Sequence, residues 1–476
     1  MIDVAIIGAG VVGGMIAREL SKYNLSVTLL EALSDVALGA TRANSAIVHA
    51  GFDAKEGTLK ALLNVRGSKM MGDVCRKLGV KYINNGSLVV GFTDEDKQTL
   101  ADLKVRGEKN GVEGLELLSR EEILKIEKNI GEGVTCALHA PTGAIVCPYE
   151  LCIAAVGNAM DNGVDLRLNF KVVKITDNGS AYELVSASGE TVEAKYVVNC
   201  AGVYSDEIAA LVGDKSFDVH PRRGEYMLLD KECGNLVSHT IFRCPSKMGK
   251  GILVSPTVDG NLLLGPTAED IDDKSDVSTT AKGLAAVRRS ATEQVAGINF
   301  GKVITSFTGL RSVGSTGDFI INSPKPRFVN CAGIESPGLS SAPAIAPYVA
   351  DMLSDMGLKL NEKPDFNPNR RPAHYFRELT VDEKNAIIAE HPEYAHVICR
   401  CETVTEGEIL EAIKTNPRPT DLDGVKRRTR ATMGRCQGGF CTPYIVELLA
   451  REMNCDYTDV TKFGGESRIN VGRTKE

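Results

Sequence analysis

The first thirty residues alternate apolar runs with a glycine-rich turn. Residues 4–7 are all apolar, a glycine loop covers residues 8–13, and apolar positions recur at helical spacing over residues 11–22. Asn24 breaks this pattern, and a second apolar run at residues 26–30 ends at Glu31. Apolar runs on both sides of a helical segment are typical of a parallel sheet, so we predict a strand, a helix and a strand here.

Three glycines of this unit, Gly8, Gly10 and Gly13, have the GxGxxG spacing. Between a strand and a helix, such glycines permit a tight turn and a close approach of the backbone to a pyrophosphate at the helix N-terminus. Glu31 follows the second strand, where an acidic side chain can accept a hydrogen bond from an adenosine ribose hydroxyl. The unit therefore predicts a dinucleotide-binding site.

The pentapeptide Val-Asn-Cys-Ala-Gly occurs twice, at residues 198–202 and 329–333, each time at the end of an apolar run. Small residues after a strand let the backbone approach a ligand at the carboxyl edge of a parallel sheet. We therefore predict that Ala201, Gly202 and Gly333 border the same cofactor. Two ordinary buried strands that end in glycine turns are the alternative interpretation.

The pattern between and after these repeats predicts further elements. An apolar helix is expected at residues 342–353, with Ser340 or Ser341 as its N-cap. Apolar runs bounded by turn residues indicate an inserted sheet at residues 224–229, 251–254 and 261–265. A second insertion, at about residues 80–135, combines a strand with charged helical segments. Beyond a polar, proline-rich stretch, two capping boxes are predicted, Thr380 with Glu383 and Thr405 with Glu408.

Composition narrows the classes of function. The chain has 476 residues, 43% of them hydrophobic, and a net charge of -7 without a long basic tract. Nucleic-acid binding needs clustered Lys and Arg, so we expect no nucleic-acid partner. The chain shows no basic leader and no apolar run of about 18 residues, which predicts a cytoplasmic protein without a transmembrane segment, in contact with a membrane only through a partner. Thirteen cysteines, an odd number, favour reduced thiols over disulfides.

Four of these cysteines have the spacing of metal ligands. Cys399 and Cys401 form a C-x-C motif, and Cys436 and Cys441 form a C-x4-C motif. Four thiolates suit either a tetrahedral zinc ion or an iron-sulfur cluster, and spacing alone does not choose between them. Structural zinc more often uses C-x2-C pairs, so the spacing favours the cluster.

Most of the chain resembles a known family. The resemblance rests on the glycine loop with Glu31 and on these runs: 39–45 (GATRANS), 47–51 (IVHAG), 199–206 (NCAGVYSD), 223–226 (RGEY), 256–266 (PTVDGNLLLGP), 309–311 (GLR) and 317–319 (GDF). They are similar to the FAD-dependent oxidoreductases of the D-amino-acid oxidase and glycerol-3-phosphate dehydrogenase superfamily. The resemblance implies an α/β fold, in which a Rossmann-like FAD-binding domain carries an inserted antiparallel β-sheet substrate domain. It also implies FAD in preference to NAD, and cofactor contacts from Thr41, Asn44, Ser45, Gly338, Leu339 and Ser340.

The resemblance also implies roles at the substrate. Flavin-dependent oxidation of a carbinol needs a cation to hold an acidic substrate and a base to take the hydroxyl proton. Arg311 is the expected cation, since a guanidinium can hold a carboxylate or a phosphate bidentately. His49 is the expected base, since an imidazole titrates near neutrality. The strand with Arg223 and Tyr226 is expected to cover the substrate. Adjacent side chains of a strand point to opposite faces, so only one of Arg222 and Arg223 can face it, and we expect Arg223.

The C-terminal module resembles the bacterioferritin-associated-ferredoxin type of [2Fe-2S] domain. The matching features are the four cysteines, the run 429–435 (TRATMGR), and Gly438 and Gly439 between the last two cysteines. The resemblance implies that Cys399, Cys401, Cys436 and Cys441 bind a [2Fe-2S] cluster, with zinc as the alternative. Basic residues near the second cysteine pair are expected to raise the reduction potential of the cluster and to expose a face for an acidic electron partner: Lys426, Arg427, Arg428, Arg430 and Arg435.

These features predict the following domains. A discontinuous FAD-binding domain is expected at residues 1–80, 135–215 and 300–360, and a substrate-binding cap at residues 81–134 and 216–299. The remaining segments are a linker and helix, a mainly helical [2Fe-2S] domain and a C-terminal tail, at residues 361–394, 395–455 and 456–476. Lys247 and Lys250, in a loop of the cap, are a further candidate grip for a phosphate.

The leading hypothesis from the sequence is a dehydrogenase that oxidises sn-glycerol 3-phosphate to dihydroxyacetone phosphate. Hydride would pass to FAD, and single electrons would leave through the [2Fe-2S] cluster to an acceptor protein or a quinone-linked subunit. The alternatives are an L-2-hydroxyglutarate or other 2-hydroxy-acid dehydrogenase, then an amino-acid or imino-acid substrate. A non-catalytic electron-transfer subunit, or a zinc module that only mediates assembly, belongs to another class. The expected partners are a small acidic substrate, the electron acceptor, and further subunits of a homo- or hetero-oligomer.

Overall fold

A computed structural model describes residues 1–245, 251–371 and 375–472. Its strands, in chain order, are β1 Ile2–Ile7, β2 Val27–Leu30, β3 Ile47–Val48, β4 Tyr82–Ile83, β5 Ser87–Gly91, β6 Glu116–Ser119, β7 Cys136–Ala140, β8 Ala144–Val146, β9 Asp165–Arg167, β10 Val172–Asp177, β11 Tyr182–Ser186, β12 Thr191–Asn199, β13 Val219–Leu229, β14 Thr240–Arg243, β15 Leu253–Pro256, β16 Leu262–Gly265, β17 Glu269–Asp270, β18 Val303–Gly314, β19 Ile320–Lys325, β20 Phe328–Ala332, β21 Val397–Cys399 and β22 Val404–Thr405.

The α-helices of the same residues are α1 Val11–Leu20, α2 Leu59–Leu78, α3 Asp94–Lys109, α4 Arg120–Ile126, α5 Pro148–Asp161, α6 Ser205–Leu211, α7 Ala281–Gln294, α8 Gly338–Asp355, α9 Val381–Glu390, α10 Glu406–Lys414, α11 Leu422–Thr429 and α12 Thr442–Met453. Within the described part of the chain, every helix is too short or too polar to cross a membrane.

The first sheet contains the predicted strand-helix-strand unit. Its strand order is β10-β11-β12-β1-β2-β9, and β20 and β19 continue it from the end of β12. Strands β12, β1, β2 and β9 run parallel. Apolar side chains on one face of these strands pack with helices α1, α5 and α8, and those on the other face pack with helix α6 and strands β10 and β11. Because both faces are covered, the strands read as continuous apolar runs in the sequence.

The second sheet forms the cap. Its strand order is β17-β13-β16-β15-β14-β5-β7-β6, and the long strand β18 pairs with β13. The sheet is antiparallel except for the parallel pair of β14 and β5. Strands β7 and β18 lie outside the predicted cap ranges, so both boundaries of the cap are corrected here. They belong to the cap because β7 pairs with β5 and β18 pairs with β13 along almost its whole length.

The C-terminal module has a hydrophobic core of its own. Strands β21 and β22 and helices α10, α11 and α12 enclose buried apolar side chains such as Ile409, Val425, Ile445 and Leu449. Both predicted capping boxes are present, at the starts of α9 and α10. The segment after α12, predicted as a tail, folds back instead: Val460 is buried in the core of the module, and the Phe463 carbonyl accepts a hydrogen bond from the Ser34 hydroxyl.

Candidate functional site

The glycine loop lies between β1 and α1, and its geometry requires glycine. Gly8 has a φ of 102°, and a Cβ there would lie 2.4 Å from the Cys200 carbonyl oxygen. A Cβ on Gly13 would lie 2.0 Å from the Gly8 carbonyl oxygen. A Cβ on Gly10, at the N-cap of α1, would meet only the Thr41 hydroxyl, at 3.4 Å. The loop thus keeps its backbone open above the helix N-terminus, which is the arrangement that a pyrophosphate needs.

Glu31 closes this loop from the end of β2. Its two carboxylate oxygens accept hydrogen bonds from the backbone N–H groups of Ala9, at 2.8 Å, and Leu33, at 3.0 Å. Burial raises the pKa of Glu31, and these backbone hydrogen bonds oppose the rise. The carboxylate therefore ties the glycine loop to the segment where the sequence predicts the ribose.

Hydrogen bonds of the Thr41 and Asn44 side chains fix the conformation of the segment that follows β2. The Thr41 hydroxyl accepts from the Val11 N–H at 3.0 Å, in the first turn of α1. The Asn44 side chain donates to the Thr41 carbonyl at 2.9 Å and accepts from the Ala46 N–H at 2.8 Å. Thr41 and Asn44 therefore hold the cofactor-facing loop in place, while the hydroxyl of Ser45 lies 3.2 Å from the Tyr226 hydroxyl.

The two repeats lie side by side. Strands β12 and β20 are parallel neighbours in which Asn199 pairs with Asn330, and their side-chain amides are joined by a 3.0 Å hydrogen bond. Ala201, Gly202 and Gly333 consequently follow the strands at one edge of the sheet, next to Gly8. This is the shared edge that the repeated pentapeptide predicted.

Helix α8 begins earlier than predicted. Pro337 is its N-cap and Gly338 its first residue, so the expectation that Ser340 or Ser341 caps the helix is wrong. Ser341 instead donates to the Pro337 carbonyl at 3.1 Å, one turn back in the helix. The buried Ser340 hydroxyl accepts from the backbone N–H of His49 at 2.8 Å. This hydrogen bond connects the end of β3 to the first turn of α8, the turn that also contains Leu339.

His49 lies where the FAD-binding domain meets the cap. Its ring is 5.7 Å from that of Phe242, on the cap strand β14, and its Nε2 is 3.4 Å from the Ser336 hydroxyl. His49 also lines a small pocket together with Gly51, Phe52, Asp53, Ala54, Asn64 and Pro337. An imidazole placed at this junction can exchange a proton with a molecule that binds between the two domains.

Tyr226 and Arg311 meet on one face of the cap sheet. Tyr226 stacks on Phe307, with 4.8 Å between ring centroids, and the strand register puts Arg311 on the same face, beside Gly224. Burial raises the pKa of Tyr226, and the neighbouring Arg311 guanidinium opposes that rise. Arg311 donates one hydrogen bond, of 2.9 Å, to the Thr267 carbonyl. Arg311, Tyr226 and Ser45 therefore form one polar cluster that faces the FAD-binding domain.

The expectation for Arg223 is corrected by the strand geometry. Arg223 lies on the face of β13 opposite to Tyr226, where it donates to Asp276 at 2.9 Å and to Glu269 at 2.7 Å. Arg222 lies on the same face as Tyr226 but pairs with Asp270 at 2.6 Å. The structure thus brings Tyr226 and Arg311 together and leaves Arg223 out. Lys247 and Lys250 lie outside the described residues.

The four cysteines of the C-terminal module meet in two pairs. The Cys399 thiol is hydrogen-bonded to Cys441, and the Cys401 thiol to Cys436. The bond with Cys441 lowers the pKa of Cys399 to about 6, against the opposite effect of burial. The backbone N–H of Thr432 points to the sulfurs of Cys399 and Cys441, and those of residues 438–440 point to Cys436. Backbone donors of this kind stabilise cluster-bound thiolates.

The paired arrangement fits a two-iron centre. A tetrahedral zinc ion needs all four ligands around one centre, whereas each iron of a [2Fe-2S] cluster takes two. Cys401 is exposed and Cys399 and Cys441 are buried, so one side of this centre faces solvent.

The basic residues of the module do not form an exposed face. Arg427 and Arg428 are buried and donate to Asp35 of the FAD-binding domain at 2.6 and 2.8 Å. Arg430 is buried and donates to Glu402 at 3.0 Å and to Asp259 of the cap at 2.7 Å. The prediction of an exposed docking face for an acidic partner is therefore wrong for these side chains. They bind carboxylates of the FAD-binding domain, the cap and the module itself.

The other two basic residues, Lys426 and Arg435, also interact with groups of the same chain. Lys426 is largely shielded from water, and burial lowers its pKa. Arg435 pairs with Glu232 at 2.9 Å and with Asp230 at 3.2 Å, both in the cap. No local pattern in the sequence indicated the acidic partners Asp35, Asp259 and Glu402, since each lies far along the chain from an arginine that it binds.

Comparison with known proteins agrees with this architecture. Residues 3–352 match the family described as FAD dependent oxidoreductase. The chain belongs to this family. Residues 397–451 of the FAD-dependent oxidoreductase also match the BFD-like [2Fe-2S] binding domain. FAD in preference to NAD, and a [2Fe-2S] cluster in preference to zinc, are thereby confirmed as its cofactors.

The relatives of this FAD-dependent oxidoreductase match different fractions of its chain. It is 49% identical over 477 residues to the glycerol 3-phosphate dehydrogenase of Caloramator mitchellensis, across 100% of this chain and 99% of that protein. The mitochondrial L-2-hydroxyglutarate dehydrogenase of Bos taurus is 34% identical over 282 residues, across 56% of this chain and 60% of that protein. The FAD-bound L-α-glycerophosphate oxidase of Mycoplasma pneumoniae, dithionite-reduced, superposes with a TM-score of 0.74 at 31% identity, across 78% of this chain and 98% of that chain.

Proposed function

We propose that this FAD-dependent oxidoreductase oxidises sn-glycerol 3-phosphate to dihydroxyacetone phosphate and passes the electrons out through its [2Fe-2S] cluster. The observation that carries the proposal is the 49% identity to a glycerol 3-phosphate dehydrogenase along the entire chain, which includes both cofactor domains. A polar cluster with one guanidinium, opposite a histidine, supplies the groups that such a substrate needs.

In this proposal each residue of the cleft has a separate role. Arg311 holds the phosphate, because its fork of N–H donors matches two phosphate oxygens, and the hydrogen bond to the Thr267 carbonyl orients the guanidinium. His49 accepts the proton of the substrate hydroxyl that is oxidised. Tyr226 and Ser45, which are hydrogen-bonded to each other, orient the substrate between the cap and the FAD-binding domain.

Several groups are proposed to hold the FAD. The glycine loop and the N-terminus of α1 hold the pyrophosphate, Glu31 the ribose, and the other contacts come from Thr41, Asn44, Ser45, Ala201, Gly202, Gly333, Gly338, Leu339 and Ser340. When bound, FAD supplies an acceptor for the hydride of the substrate carbon and a donor of single electrons. The cluster then argues for a dehydrogenase with a one-electron acceptor protein or a quinone-linked subunit as its partner.

L-2-hydroxyglutarate is the second candidate substrate. Arg311 can hold a carboxylate as readily as a phosphate, and the chain is 34% identical to an L-2-hydroxyglutarate dehydrogenase. That likeness covers 56% of this chain and 60% of the relative, so it weighs less than the likeness along the entire chain.

Anaerobic bleaching of the flavin tests the substrate. The purified protein with both cofactors is mixed with glycerol 3-phosphate or with L-2-hydroxyglutarate, and the flavin absorbance is followed in each case. We expect rapid bleaching by glycerol 3-phosphate and little change with the hydroxy acid. If only the hydroxy acid bleaches the flavin, L-2-hydroxyglutarate becomes the preferred substrate and the proposal for glycerol 3-phosphate is wrong. If neither compound nor amino acids bleach the flavin, the result favours a non-catalytic electron-transfer subunit.

A further inference from the structure

Electrons that leave the flavin through the cluster have to cross the boundary between the C-terminal module and the rest of the chain. Buried ion pairs fix this boundary, with Arg428 on Asp35 at 2.8 Å and Arg430 on Asp259 at 2.7 Å. Removing one partner of a buried pair is costly, so the module is held in one position. The contacts across the boundary are therefore fixed, and side chains that touch there offer a defined route for electrons.

One contact at this boundary joins the cluster-binding loop to the FAD-binding domain. The Tyr149 hydroxyl, in the first turn of α5, donates to the sulfur of Met433 at 3.6 Å. Met433 lies three residues before the ligand Cys436 and directly after Thr432, whose N–H points to the sulfurs of Cys399 and Cys441. The contact thus reaches the immediate surroundings of the cluster.

The loop that carries Met433 has a constrained backbone. Arg430 and Thr432 have φ values of 68° and 73°, in the left-handed region that a β-branched threonine rarely adopts. Such strain persists only where surrounding contacts impose it, and the buried bonds of Arg430 to Glu402 and Asp259 supply them. Met433 is therefore held against Tyr149.

On its other side, Tyr149 is connected to the candidate active site. It lies three residues after Val146, the last residue of β8, and the Val146 N–H donates to the Ala46 carbonyl at 3.0 Å. Ala46 is the neighbour of Ser45, whose hydroxyl contacts Tyr226. Tyr149 also packs against the core of the FAD-binding domain, so it lies between that core and the cluster-binding loop.

We propose that Tyr149 and Met433 form the bridge over which electrons pass from the flavin to the [2Fe-2S] cluster. The proposal rests on the electron exit given under Proposed function but not on the identity of the substrate. Each crossing removes one electron from the reduced flavin and adds one electron to the oxidised cluster. An external one-electron acceptor reoxidises the cluster between the two crossings of a turnover, and the protons are released to solvent.

The other contacts at the boundary are better suited to holding the C-terminal module in place than to carrying electrons. Asp35 follows Glu31 by four residues and so lies at the proposed adenosine end of FAD, away from its redox-active ring. The Arg430 network joins the module to the cap, through hydrogen bonds to Asp259 and Asn261. Tyr149 and Met433 bring an aromatic ring and a polarisable thioether to the boundary.

The bridge can be tested without any substrate. The flavin of the protein with both cofactors is reduced by a light flash in the presence of a sacrificial electron donor such as a tertiary amine, and the paramagnetic signal of the reduced cluster is followed by rapid freezing. We expect Tyr149→Leu to slow the appearance of this signal about tenfold, because the donor and acceptor groups lose their fixed contact. Tyr149→Phe, which keeps the ring but loses the hydroxyl contact with the Met433 sulfur, should give a rate between those of the wild type and Tyr149→Leu.

Tyr444→Leu is the matched control, since Tyr444 belongs to the same module but is 51% exposed. It should leave the transfer rate unchanged. The midpoint potential of the cluster, and its complete reduction by dithionite, should be the same in Tyr149→Leu as in the wild type. A wild-type transfer rate in Tyr149→Leu, or a slower rate that a shifted potential explains, would overturn the bridge.

Met433→Ala keeps the proposal testable if Tyr149→Leu loses FAD or cluster. It should slow the transfer in the same way, and an unchanged rate in this variant would also contradict the proposal. Failure of the proposed substrate gives a different result, because glycerol 3-phosphate would then leave the flavin oxidised while the light-driven transfer still occurred.

Discussion

At the scale of single residues, the direction of a side chain on its strand decides which arginine can serve the substrate. Arg222, Arg223 and Arg311 lie within one pair of strands, in which Arg222 and Arg311 are directly opposite each other. Arg222 and Arg223 are held by carboxylates, whereas Arg311 donates to a backbone carbonyl. Arg311 therefore keeps its full charge for an anionic ligand.

Arg311→Lys tests this assignment. A lysine keeps the charge but loses the bidentate fork, and a hydrogen bond between charged groups contributes about 1.5–3 kcal/mol. We expect the substrate concentration for half-maximal flavin bleaching to rise roughly tenfold or more. Arg222→Lys is the control and should change it little, since Arg222 is bound to Asp270. An unchanged half-maximal substrate concentration in Arg311→Lys would show that Arg311 does not bind the substrate.

His49→Gln should have the opposite kinetic signature. Glutamine can preserve a polar contact but cannot accept the substrate proton, so flavin bleaching at saturating substrate should slow by about a hundredfold or more. The half-saturating concentration should change little, since phosphate binding is assigned to Arg311. Stopped-flow absorbance measures both quantities, with His139→Gln in the cap as the control. A normal rate at saturation would show that another group takes the proton.

At the scale of elements, the sequence predicted what local spacing determines. The unit of β1, α1 and β2 and the two capping boxes were correct because glycine spacing, apolar periodicity and capping residues act within a few positions. The repeated pentapeptide also located two neighbouring strands, since small residues at a shared sheet edge leave a visible pattern.

Features that depend on distant segments could not be predicted in this way. The start of α8 at Gly338 depends on how Pro337 ends the preceding turn, and the correct face of Arg223 depends on the register of β13 with β18. Strand β7 was assigned to the wrong domain because pairing with β5 is not encoded in its own sequence. The acids that bind the C-terminal arginines were missed for the same reason.

At the scale of the whole molecule, the C-terminal module and the FAD-binding domain are joined through charges that neither could bury alone. Asp35 is 1% exposed and lies between Arg427 and Arg428 of α11. Burial raises the pKa of Asp35, but the two guanidinium groups outweigh this effect, so the pKa lies below its usual value. Folding of the docked molecule is therefore linked to the ionisation of this carboxyl.

Asp35→Asn should consequently show a pH-dependent loss of stability. A depressed carboxyl pKa contributes stability above the unfolded value of about 3.9, and this contribution disappears as the pH falls through the folded value. Near neutral pH the variant leaves two buried arginines without their counter-charge, so its free energy of unfolding should fall by about 3–5 kcal/mol.

The measurement is urea unfolding, followed by far-ultraviolet circular dichroism from pH 7 down to pH 3. We expect the difference between the wild type and Asp35→Asn to shrink below about pH 4, where the wild-type carboxyl takes up its proton. Asp165→Asn, at an exposed surface pair with Arg167, should cost at most about 1 kcal/mol at any of these pH values. A difference between the wild type and Asp35→Asn that stays constant across this range would show that Asp35 contributes through packing and not through its charge.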